Sequence, residues 1–120
     1  MAFQTADVVD AIAAASGTAP TEMRVDGGAS VMDLLCSLQA DLLGVTVRRA
    51  AVAETTALGA AFLAGLAEGV WDSPDAVNAT WSADASFAPA MDPDERTARR
   101  AAWQRAVERS RDWARDEPAT

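Results

Sequence analysis

The chain has 120 residues, half of them hydrophobic, with a formal net charge of −8 and an isoelectric point of about 4.3. That length allows one domain with one modest core, and the acidic balance argues against a nucleic-acid or anionic-membrane surface role. All 10 basic residues are arginine; the missing lysine rules out a Walker-type phosphate loop and Schiff-base chemistry, and the missing histidine removes the commonest general base.

The first element is a helix from about Ala2 to Ser16, with Val8, Val9 and Ile12 on one side and Gly17 as its stop. Thr18 to Thr21, with Pro20, links it to a short strand, Met23 to Asp26, which ends at the paired glycines Gly27 and Gly28. Ser30 is placed to cap a second helix, with Asp33 three positions on as in a capping box. The predicted core face of that helix is Leu34, Leu35, Leu38 and Leu42, with Val31 at its margin, and Gly44 closes it.

Val45 to Arg49 reads as a second strand, Val45 and Val47 facing one way and Thr46 and Arg48 the other. A third helix runs from about Thr55 to Glu68, and Ala57, Ala60, Ala61 and Ala64 give it a thin face suited to close packing. Asp72-Ser73-Pro74-Asp75 announces a short helix, and Asp92-Pro93-Asp94-Glu95 a longer one reaching about Arg115. Its inner stripe is Trp103, Ala106, Val107, Ser110 and Ala114, while its arginines interleave with acids as on a solvated face.

The fold class that follows is α/β: a parallel β-α-β unit with flanking helices and a helical tail from about residue 72 to 120. A right-handed crossover puts the Asp26-Gly27-Gly28 bend at the carboxyl end of the first strand, the edge where ligands collect in open α/β sheets. Two strands leave both sheet edges unpaired, so the chain is expected to be a piece of something larger and to self-associate when alone.

Cys36, the single cysteine, lies inside the apolar pattern of the second helix. It is expected to be a buried core residue, in keeping with a reducing cytoplasm. Asp7 and Asp10 interrupt the opening residues, so no secretory leader is expected there, and no apolar run is long enough to span a bilayer.

Several segments taken together resemble a known family. They are Ala2-Phe3-Gln4-Thr5, Arg24-Val25-Asp26-Gly27-Gly28-Ala29, Leu38-Gln39-Ala40-Asp41-Leu42-Leu43-Gly44, and Glu54-Thr55-Thr56-Ala57-Leu58-Gly59-Ala60-Ala61. Gly65 to Trp71 and the tail with Phe87-Ala88-Pro89, Trp103 and Trp113 continue the match. The chain resembles the C-terminal part of the glycerol kinases, members of the FGGY carbohydrate kinases, over essentially its whole length. The resemblance implies a partial ribonuclease-H-like (actin-like ATPase) domain, residues 1 to 120 being the C-terminal part of the nucleotide-binding lobe.

The activity implied is ATP-dependent phosphorylation of glycerol to glycerol 3-phosphate by a parent enzyme. ATP or ADP with Mg²⁺ serves as cofactor, and glycerol is held by a lobe outside this chain. The resemblance places Gly27 and Gly28 against the adenine end of the nucleotide. Close relatives carry an asparagine that helps hold the nucleotide at the position occupied here by Met32, which offers no paired donor and acceptor to a purine edge. No catalytic residue and no metal ligand is assigned to this chain, so alone it is expected to be inactive.

Plainer structural readings stand beside these. Gly27 and Gly28 also suit a tight turn without a ligand, Met32 an ordinary core or surface residue, and Glu54, Thr55 and Thr56 helix capping. The four tryptophans read as packing anchors. The alternatives for function are a free-standing, non-catalytic α/β module that binds a nucleotide or protein, and a piece of another FGGY sugar kinase.

Overall fold

The structure is a computed structural model that describes residues 1–52 and 54–111. Its elements are α1 (Ala2–Ser16), β1 (Glu22–Val25), a 3₁₀ turn (Gly28–Val31), α2 (Asp33–Leu43), β2 (Thr46–Ala50), α3 (Thr55–Ala67), α4 (Pro74–Asn78), β3 (Ala83–Phe87) and α5 (Pro93–Ser110). The parallel β-α-β unit forms as expected: β1 and β2 pair from Glu22↔Thr46 to Val25↔Arg49, with α2 as the crossover.

The sheet is nevertheless mixed. β3 runs antiparallel to β2, with Val47 opposite Phe87 and Arg48 opposite Ser86, and closes the edge expected to stay open. The stretch after residue 72 is therefore not all helix. β3 alternates half-buried Ala83, Ala85 and Phe87 with exposed Asp84 and Ser86. Alanine and serine are weak strand formers, so pairing with β2 makes this strand and local propensity does not. The outer edge of β1 carries no partner strand among the described residues.

Helix α2 organises the core from two sides. One side packs Leu42 against Ala2 and Ala6 of α1, with Phe3, Leu35, Leu38 and Leu43 around them. The other sets Cys36 and Ala40 on Val47, bordered by Met23, Val25 and Phe87. Cys36 is fully buried, as expected. Leu34 and Val31, expected in the core, are 81% and 64% exposed. At about 100° per residue Leu34 sits roughly 160° round the helix from Cys36, off both packed faces.

The cap also differs. Ser30 belongs to the 3₁₀ turn and donates to the Gly27 carbonyl (2.7 Å), while Met32 is the N-cap of α2 with no side-chain cap bond. Helix α5 ends at Ser110, and Trp113, Ala114 and Arg115 lie outside the described residues. Its arginines are only partly a solvated face. Arg99 pairs with Glu95 on the surface, but Arg96 Nε donates to the Asp41 carbonyl (2.6 Å) and Arg100 pairs with Asp10. Trp103 stacks on Phe3 with centroids 5.4 Å apart and donates to Asp7 (2.6 Å). That makes it the packing anchor expected.

Truncating the fully buried leucine between α1 and α2 tests this core. Leu42→Ala is expected to lower unfolding free energy by about 2 to 5 kcal/mol, read as a drop in the urea midpoint with an unchanged slope.

Candidate functional site

The bend after β1 is where the chain places backbone in the open. Gly27 has φ 78° and ψ 175°, a conformation essentially only glycine adopts, costing a side-chain-bearing residue about 1 to 3 kcal/mol. A Cβ built on Gly27 or Gly28 would meet nothing within 4 Å. The glycines are therefore not required by packing within the chain, and their outer surface is free. Of the residues singled out from sequence, Gly27 and Gly28 open the 3₁₀ turn and Met32 closes it, its side chain 47% exposed. The three lie on one short segment.

The reverse side of the turn is tied down. Its Ser30 carbonyl accepts from Cys36 Sγ (3.3 Å) and from Arg49 Nη1 (3.2 Å). Arg49 also donates to Asp33 at the start of α2 (2.7 Å) and holds Asp84 of β3 through Nε (2.9 Å) and Nη2 (2.8 Å). One side chain, 17% exposed, thus joins the turn, α2 and β3. The Asp33 and Asp84 carboxylates hold the Arg49 guanidinium still more firmly in its charged form. Burial pushes the Cys36 thiol up, against a smaller opposing pull from Arg49.

The start of α3 meets the same bend. Thr55 Oγ1 donates to the Asp26 carboxylate, while Glu54, the N-cap position, makes no side-chain cap bond. Thr55 therefore ties two segments together and does not cap its helix. Sequence reasoning missed Arg49, Asp84 and the Thr55–Asp26 bond. The signal for Arg49 was present: by strand alternation it shares a face with Val45 and Val47, and a charge on a core face needs a partner.

Charge decides what the bend suits. Asp26 and Asp33 flank it, and Arg49 is fully engaged, so a polyphosphate would find an acidic surface there. A groove of about 300 Å³ beside the bend is bounded by Asp26, Ala29, Ser30, Leu35 and Gln39. A more enclosed cavity of about 180 Å³ lies elsewhere, between Leu58 and Phe62 of α3, Val77 of α4 and Trp81. Among the described residues no group of three or more His, Cys, Asp or Glu could hold a metal ion.

Residues 1–68 match the FGGY family of carbohydrate kinases, C-terminal domain. The chain is 55% identical over 114 residues to a glycerol kinase of Dechloromonas aromatica, covering 95% of this chain and 23% of that protein. It is 49% identical over 119 residues to a glycerol kinase of Deinococcus radiodurans, covering 99% and 24%. Among solved structures, Plasmodium falciparum glycerol kinase with ADP superposes with a TM-score of 0.78 at 34% identity, covering 90% of this chain and 22% of that one. A gluconate kinase from Lactobacillus acidophilus, at 22% identity and TM-score 0.63, is similar in fold. The chain spans about a quarter of the length of the curated relatives it matches.

The buried thiol reports on the Arg49 tie. Cys36 is expected to resist a thiol reagent near neutral pH in the folded chain and to react fully in denaturant. Arg49→Ala is expected to lower stability and to speed both Cys36 labelling and amide exchange at Met32 and Cys36. Unchanged labelling and exchange would show that the turn holds without it.

Proposed function

The chain belongs to the FGGY family of carbohydrate kinases, and on that premise we propose that it forms the adenine-binding end of a glycerol kinase's nucleotide lobe. The proposed parent transfers the γ-phosphoryl group of ATP to a hydroxyl of glycerol. Residues 1–120 are then the C-terminal part of a ribonuclease-H-like lobe, with the segment after residue 72 as its largely helical extension. A cytoplasmic location suits that substrate pair, and among the described residues no helix is long and apolar enough to cross a membrane.

One observation carries this reading: backbone at Gly27 and Gly28 is open on its outer side and fastened from behind. Glycine lets the main chain lie against a ring where a Cβ would hold it off. The fastening fixes the surface before the ligand arrives, so less ordering entropy is lost on binding. Met32, half-exposed at the far end of the turn, offers an apolar, polarizable contact to a purine face. The acidic surround suits the base and leaves the phosphates, the Mg²⁺ ligands and the glycerol hydroxyls to other polypeptide.

Phosphoryl transfer requires clamped phosphates, a metal and a positioned acceptor hydroxyl together. Asp26 is the carboxylate nearest the bend, and its bond to Thr55 is a structural use. The role proposed for this chain is therefore binding and positioning, and by itself it should not turn over glycerol and ATP. The apolar surface of α3 agrees with a place inside a larger enzyme: Leu63 is 71% exposed and Gly65 is the helix's one buried residue. A helix apolar on all sides is ordinarily covered.

Titrating ADP into the isotopically labelled chain tests the site. Amide shifts are expected at Gly27, Gly28 and Met32, and Met32→Asn, which restores a hydrogen-bonding edge, is expected to tighten binding about 3- to 10-fold. Shifts confined to the cavity beneath α3, or no response from either form at millimolar nucleotide, would remove the proposal.

A further inference from the structure

The peptide between Gly27 and Gly28 is the part of the bend with the least steric restraint. Turning a peptide plane over changes only the ψ of the residue before it and the φ of the residue after it. Both residues here are glycines, which tolerate either orientation. The orientation decides what the bend shows a ligand. In a trans peptide the C=O and N–H point in opposite directions, so one side of the plane carries an acceptor and the other a donor.

Ser30 settles which is which. Its backbone N–H donates to the Gly27 carbonyl (3.0 Å), and its hydroxyl donates to the same oxygen (2.7 Å). The first bond is enough to close the turn, but a single bond lets the plane rock about it. The second comes from the side chain of a residue only 4% exposed, and it fixes the carbonyl inward. Ser30 is itself held, because its own carbonyl accepts from Cys36 and Arg49.

The Gly28 N–H, on the opposite side of the plane, therefore points away from the turn. Gly28 is exposed, and its N–H donates to no group among the described residues. The usual local claimant is Asp26, since an aspartate side chain readily accepts from the N–H two residues on. That carboxylate is drawn to Thr55 Oγ1 of α3 instead. The donor is left free.

We propose that Ser30 is a positioning residue for the nucleotide. Its buried hydroxyl holds the Gly27–Gly28 peptide with the carbonyl turned in and the Gly28 N–H turned out, as a donor to an acceptor atom of the ligand. This role rests on the nucleotide reading of the bend and adds the group that meets the ligand. A flipped plane would present the Gly27 carbonyl there, one more acceptor beside Asp26 and Asp33, and would repel the ring nitrogens and oxygens of a nucleotide. The hydroxyl touches no ligand; it acts through the peptide, by setting the donor before binding.

Two measurements on the isotopically labelled chain test this. The first needs no nucleotide: in a weakly aligned sample, the dipolar coupling of the Gly28 N–H reports the direction of that bond. The wild type is expected to give the value set by the outward orientation. Ser30→Ala is expected to shrink it by averaging, while the amides of β1 and α2 keep theirs and so show an intact fold. Ser30→Thr, which retains a hydroxyl, is expected to restore it. The second measurement is an ADP titration, in which Ser30→Ala is expected to weaken binding about 3- to 10-fold. Ser30→Thr is expected to recover affinity together with the coupling, a paired return that a merely structural hydroxyl would not produce. An unchanged Gly28 coupling in Ser30→Ala overturns the anchoring. A coupling lost while ADP affinity stays intact overturns the link to the ligand. A wild type that shows the outward N–H yet gives no response to millimolar ADP removes the nucleotide reading itself, and the positioning role with it.

Discussion

Close approach of α2 to the sheet is the constraint on which the molecule depends. Cys36 and Ala40 are the residues at the contact, and their small side chains let the helix axis settle over Val47. A larger residue at either position would lift the helix and break the second contact too, because the other flank of α2 carries Leu42 against α1. One helix thus couples the sheet, α1 and, through the Asp41 carbonyl and carboxylate, the beginning of α5. With so few fully buried side chains, the core has little redundancy.

The geometry of the bend is a consequence of that seating. Once α2 lies on the sheet, the Ser30 carbonyl falls within reach of both the Cys36 thiol and Arg49. Arg49 then satisfies three elements with one planar fork of donors, which suits arginine and would not suit lysine. The result is a turn anchored on its inner side and unobstructed on its outer side, flanked by acid groups. The acid groups there, Asp26 and Asp33, make it a poor surface for phosphate. The β-bulge at Arg49/Ala50 sits where β2 must both deliver Arg49 to the turn and keep pairing with β3.

Outside this centre several apolar side chains lie at the surface. Leu63 and Val70 near α3, Val8 and Ile12 on α1, and Val31, Met32 and Leu34 around the turn are all exposed. They fall in separate places: the α3 region, α1, and the rim of the bend. Those near α3 and at the rim of the bend lie beside features with a proposed occupant, the rest of the enzyme and a purine in turn. On the face of β1 and β2 away from α2, Trp81 is covered instead by Arg24 and Arg48, whose guanidinium carbons lie 4.1 and 4.9 Å from its ring.

The order of helices and strands through α3 was legible in the residues because its signals are local: periodicity in α1 and α2, valine alternation in β2, and glycines at Gly17, Gly27 and Gly44 where the backbone takes a positive φ. So was the place of the open bend, since a strand ending in paired glycines announces itself without any partner. What could not be read locally was everything that depends on who lies beside whom. β3 is built of residues that do not favour strands and exists because β2 offers it a ladder. Leu34 looks like core until the two packed faces of α2 are known. Arg49 shows in the sequence only that a charge on a core face needs a partner; Asp33 and Asp84 are ordinary surface charges there, and the three become one clamp only when the turn, α2 and β3 meet. Residue order alone determines the pieces whose free energy is local, and tertiary contact assigns partners to groups whose stabilisation comes from residues far along the chain.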